Sequence, residues 1–84
     1  MAALRITWDY AVLRRRERMH YRIVGDIEAD VIKFAETLTG DVDIEDEGDR
    51  PRVLMRAAHG YTLRMRVDLK EMTLFVFGMF PPKR

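Results

Sequence analysis

The sequence predicts an α+β two-layer domain: a mostly antiparallel sheet of five to six strands with one amphipathic helix across one face, in the order ββαββββ. Three observations carry this expectation. Apolar and polar residues alternate in several short runs, the mark of half-buried strands. A single stretch, after Gly25, changes to the helical period. Turn formers such as Pro51, Gly60 and Pro81-Pro82 separate the remaining runs.

Leu4, Ile6, Trp8, Tyr10 and Val12 alternate with Arg5, Thr7, Asp9 and Ala11, and Met19, Tyr21 and Ile23 alternate with His20 and Arg22. Read with period two, these are the strands of an antiparallel hairpin whose loop is Leu13–Arg18. A helix over Tyr10–Arg22 is the rival, since arginine, leucine and glutamate favour helices. Trp8, Tyr10, Tyr21, Ile23 and Val24 favour strand. Asp26 is then a natural N-cap, and Glu28 and Asp30 suit the positive end of a helix dipole. Ile27, Val31, Phe34, Ala35 and Leu38 form one helical stripe, and Gly40 offers a left-handed C-cap. The helix expected is about Ile27 to Thr39, with Glu28, Asp30, Lys33 and Glu36 on an acidic outer face. Val42–Glu45 reads as a short strand, Asp46–Pro51 as a loop, and Val53–Ala57, Tyr61–Val67 and Met72–Met79 as three further strands. The opening hairpin-helix-strand order resembles that of β-grasp folds.

Turn chemistry suggests the pairing. A loop at Asp68–Glu71 sets Val67 opposite Met72, Met65 opposite Leu74, Leu63 opposite Val76 and Tyr61 opposite Gly78. A three-residue loop, Ala58-His59-Gly60, with glycine at its left-handed last position, aligns Ala57 with Tyr61, Met55 with Leu63 and Val53 with Met65. The face away from the helix then collects Arg52, Leu54, Arg56, Thr62, Arg64, Arg66, Thr73, Phe75, Phe77 and Met79. One helix covers only one side of a sheet, so these rings and guanidinium groups are expected to lie open, and such a patch marks an interaction surface. Arg52 falls opposite Arg66, a like-charge pair that costs stability unless an anion relieves it. Two internal explanations compete. If Ile44 faces Val53, Glu45 lies opposite Arg52 and acids neutralise the arginines; or the N-terminal hairpin folds over the open face and buries the phenylalanines.

The charges are sorted along the chain. Residues 1–25 carry +4, residues 26–49 carry −9 and residues 50–84 carry +6, summing to the overall +1. Faces of opposite sign are expected, and such fields steer partners. Twelve of the fifteen basic residues are arginine, the residue suited to bidentate contacts with carboxylates and phosphates. The 84 residues make one domain, 1–84. The chain has no cysteine, no signal-like N-terminus and no apolar run of the roughly 20 residues that span a bilayer. A cytoplasmic protein without membrane contact is expected.

Catalytic constellations are scarce. There is no serine, so no serine triad. His20 and His59 have no companions at metal-ligand or acid-base spacing, and no glycine-rich phosphate loop exists. Asp41, Asp43, Glu45, Asp46, Glu47 and Asp49 lack the spacing of a calcium loop. No enzyme, cofactor, metal or small-molecule substrate is expected. The functional expectation is a binding module acting through protein contacts, by self-association or with a charged partner. Its contact residues would be Arg52, Arg56, Arg64, Arg66, Phe75 and Phe77, with Asp43, Glu45, Asp46, Glu47 and Asp49 as a second contact. In one version the acidic helix and the Asp41–Asp49 loop together imitate nucleic-acid phosphates and occupy a basic groove of another protein, as a regulator or inhibitor. The alternative is nucleic-acid binding by the Arg/Phe sheet face and a basic hairpin tip, Arg14, Arg15, Arg16 and Arg18.

Overall fold

A computed structural model describes residues 3–45 and 48–83. Strand β1 (Arg5–Trp8) is followed by helix α1 (Tyr10–Arg16), helix α2 (Tyr21–Thr37) and strands β2 (Val42–Glu45), β3 (Arg52–Arg56), β4 (Thr62–Asp68) and β5 (Thr73–Phe80), with a 3-10 turn at Ala58–Gly60. The strands form one sheet in the order β1-β5-β4-β3-β2, with β1 parallel to β5 and every other pair antiparallel. The chain leaves β1 at one edge, crosses a single face as two helices, enters the opposite edge and returns strand by strand. The α+β two-layer class is as expected; the element order is βααββββ.

The expected N-terminal hairpin is absent, and the β-grasp resemblance goes with it. Asp9 ends β1 by accepting the Ala11 N–H at 3.2 Å, which caps α1. The helix-forming run of leucine and arginine then prevails over the alternation, and only Val12 is buried. His20 caps α2 in the same way, its Nδ1 accepting the Arg22 N–H at 3.1 Å. The helix therefore starts well before Asp26 and runs through Gly25, where an added Cβ would meet nothing within 4 Å. It ends earlier than expected as well: Leu38, not Gly40, takes the left-handed cap at φ 57 and is 46% exposed.

Ile27, Val31, Phe34 and Ala35 of α2 pack with Val12 of α1 onto Val53, Met55, Leu63, Met65, Val67, Leu74, Val76 and Met79, in a single cluster that also takes in Leu4. Each large buried side chain contributes about 1.5–3 kcal/mol. No polar or charged residue is buried among the described residues.

The β3–β4 register is the expected one, with Met55 opposite Leu63, Val53 opposite Met65 and Arg52 opposite Arg66. His59 and Gly60 both take positive φ in the turn (59 and 78). The β4–β5 register is two residues off near the turn, where Val67 faces Leu74 and Met65 faces Val76, and three off farther along, where Leu63 faces Met79. Asp68 explains the shift, because its carboxylate accepts the Lys70 and Glu71 N–H groups at 3.1 Å and folds the turn one residue later. A bulge beside Arg64/Met65 then leaves Phe77 unpaired between Val76 and Gly78. The extra residue reverses the alternation, so Met79 turns into the core and Phe80 turns out.

Candidate interaction surface

Both helices lie on one side of the sheet, so the other side has no covering layer among the described residues. Strand β5 presents Phe75 (36% exposed), the partly buried Phe77 and Phe80 (44% exposed) there. The Phe75 and Phe77 rings stack with centroids 6.2 Å apart and planes at 28°. The Arg64 guanidinium lies 5.2 Å over the Phe80 ring. Gly78 permits this stack: a Cβ there would come within 3.1 Å of Phe80 Cε2 and 3.3 Å of Arg64 Cβ. The expectation that the sheet bares phenylalanine and arginine holds for Phe75 and Arg64, and in part for Phe77. Met79 is corrected to the core, and Phe80, which the bulge brings out, was missed.

The other half of this face is held by ion pairs. Arg56 donates to Asp41 and Asp43, both at 2.9 Å. That double contact raises the guanidinium's pKa above its usual value and holds the Asp43 carboxyl below the usual carboxylate range, first through the hydrogen bond and then through its charge. Ile44 pairs with Val53 and Glu45 with Arg52, whose charged groups approach to 3.9 Å. Arg66 donates to the Arg50 carbonyl at 3.3 Å, and Arg50 pairs with Asp68 at 3.5 Å. The Arg52–Arg66 juxtaposition is thus relieved from within. Arg5 and Arg64, on the β1–β5–β4 side, form no ion pair among the described residues.

Two depressions flank the aromatic ridge. One, of about 470 Å³, lies between Asp43, Glu45, Arg52, Leu54, Arg64, Arg66 and Phe77. The other, of about 310 Å³, lies between Arg5, Thr7, Arg66, Asp68, Thr73 and Phe75. Each joins a ring to arginines, and each also contains carboxylates. Of the second expected contact, Asp49 sits apart and pairs with Lys70 at 3.4 Å; Asp46 and Glu47 lie outside the described residues.

The acidic outer face expected of α2 is largely occupied. Asp30 accepts the Ala58 N–H at 2.8 Å and Asp26 meets His59 Nε2 at 2.7 Å, so both grip the β3–β4 turn. Glu28 pairs with Arg16, whose guanidinium also lies 4.5 Å over the Trp8 ring. The expected basic hairpin tip is instead the C-terminal turn of α1 and the segment after it. Arg16 is bound there, whereas Arg14, Arg15 and Arg18 are exposed. No sequence signal separated Arg16 from its neighbours, because Glu28 comes within reach only once both helices exist.

Among the described residues no group of three or more His, Cys, Asp or Glu side chains is placed to hold a metal ion, and no helix is long and apolar enough to cross a membrane. Comparison with known proteins gives no matching family model, curated protein or solved structure.

Proposed function

We propose that this protein is a non-catalytic binding module that works through protein contacts of its bare sheet face, and that the face docks against a second copy of the chain. The observation that carries the reading is the row of exposed Phe75 and Phe80 with the partly buried Phe77 between them, beside Arg5 and Arg64, with no layer over it among the described residues. Aromatic residues and arginine are enriched at protein interfaces. The charge layout is self-complementary: basic and aromatic at the β1–β5 side, acidic at the β2 edge, where Asp41, Asp43 and Glu45 outnumber Arg52 and Arg56. A two-fold arrangement lays the first half of one copy over the second half of its partner, and each contact is made twice.

The phosphate-imitating version of this reading has less support. Asp26, Glu28, Asp30, Asp41 and Asp43 are engaged within the chain, so they do not form a run of unspent carboxylates. The sheet face is also a poor phosphate surface, because Asp43, Glu45, Asp68 and Glu71 line its two depressions.

Sedimentation equilibrium tests the proposal. The wild-type mass should rise with concentration toward twice the monomer, and Phe75→Ser with Phe77→Ser should hold it at the monomer while the circular dichroism spectrum is kept. A wild-type mass that stays monomeric into the millimolar range would overturn the proposal. Unfolding of the double variant would assign both rings to the core instead.

A further inference from the structure

We infer that the α1–α2 junction, Tyr10–Arg22, binds the backbone of single-stranded nucleic acid, at a surface separate from the bare sheet face. The argument starts from where the acidic block spends its charge. Asp26, Asp30, Asp41, Asp43, Glu45 and Asp49 all engage residues between Arg52 and Lys70. The only ion pair among the described residues that links the acidic block to the N-terminal basic block is Arg16–Glu28. Arg14, Arg15, Arg18 and Arg22 are exposed and form no ion pair among the described residues. The structural use of such arginines is to offset the negative end of α1, but a helix terminus carries only about half a unit of charge. Arg14, Arg15 and Arg18 exceed that, and Arg22, in the first turn of α2, lies at a positive helix end where it has no such use.

The rings at the junction narrow the ligand. Tyr10 and Tyr21 are 70% and 73% exposed, the highest values of any large hydrophobic side chain described. Arg14 lies 5.8 Å over Tyr10 and Arg22 lies 6.0 Å over Tyr21. The His20 ring stacks on Tyr21 at 4.6 Å, extending the flat surface. Guanidinium groups match phosphate oxygens, and exposed rings accept unpaired bases by stacking. A duplex keeps its bases within its own stack and cannot use the rings. A membrane fits poorly too, since Val12 of α1 is in the core and Leu13 is only 39% exposed, leaving no continuous apolar face to insert.

The test is fluorescence anisotropy of the full chain with labelled single-stranded RNA and DNA of roughly 12 nucleotides, with a duplex of equal length and phosphatidylserine vesicles alongside. Four phosphate contacts predict that single-strand affinity falls about fifty-fold between about 50 and 200 mM salt. Arg14→Glu with Arg18→Glu should weaken binding at low salt by more than about tenfold and reduce that salt dependence to about sevenfold. Arg14→Gln with Arg18→Gln should show the same reduced salt dependence, which removes reversed charge as the cause. Tyr10→Ala with Tyr21→Ala should weaken binding at unchanged salt dependence, and Phe75→Ser with Phe77→Ser should leave it intact. The inference is overturned if single strands fail to bind at low salt, if the arginine variants bind like wild type, if only the sheet variant loses binding, or if duplex or vesicles bind more tightly than single strands.

Discussion

The two basic segments of this chain meet the acidic one on unequal terms. The C-terminal segment has several of its cations and its turn backbone held by those acids: Arg56 by Asp41 and Asp43, Arg52 by Glu45, Lys70 by Asp49 and the Ala58 N–H by Asp30, with Arg64 an exception. The N-terminal segment receives, among the described residues, Glu28 alone, through Arg16. A nearly neutral protein therefore carries mostly spent charge on its sheet, Arg5 and Arg64 aside, and unspent charge at its helix junction. The difference separates two kinds of surface. Where charge is cancelled, the exposed phenylalanines set the chemistry of contact; where it is not, the guanidinium groups do.

Removing one of the acids that hold the C-terminal segment gives the largest expected effect. Asp30→Ala leaves the Ala58 N–H without its charged acceptor and should cost about 1.5–3 kcal/mol. At about 4–8 °C per kcal/mol for a domain of this size, the melting temperature should fall by roughly 6–24 °C. A drop under a few degrees would mean that the β3–β4 turn does not depend on α2. Within α1 the contrast can be sharpened at neighbouring positions. Arg16→Ala removes both the Trp8 stacking and the Glu28 pair, and should cost about 1 kcal/mol. Arg15→Ala should stay within about 0.5 kcal/mol of wild type. Equal losses, measured by urea unfolding, would erase the distinction between held and unspent arginines.

The smallest effect concerns pH. Arg56 holds the Asp43 carboxyl below the ordinary range, so this pair's stabilisation is present above the ordinary aspartate pKa of about 3.9 and is lost as pH falls through the depressed value. Carboxyl-carbon NMR should show Asp43 titrating lower in wild type than in Arg56→Ala. Identical curves would show that the contact does not persist in solution.

The sheet's inner face and the core stripe of α2 were legible because burial imposes a period. Val53, Met55, Leu63, Met65 and Val67 repeat every second residue, and Ile27, Val31 and Phe34 repeat at helical spacing. The N-terminal third was legible only as far as Trp8, because Trp8, Tyr10 and Val12 satisfy one alternating pattern although Trp8 ends a strand, Tyr10 is exposed and Val12 enters the core from a helix. What settles that region is capping by Asp9 and His20, a signal of one residue each against a run of several. The bulge was equally hidden. Gly78 within the strand run is the one hint of it, but only the Asp68 turn fixes the register, and with it the exchange of Met79 for Phe80 on the bare face.

The proposal that this bare face docks against a second copy is tested most directly by amide chemical shifts recorded on serial dilution. Docking predicts shifts concentrated at Arg64, Phe75, Phe77 and Phe80 and at the β2 edge, with α2 unmoved. Shifts confined to the helices, or none across the range, would contradict it.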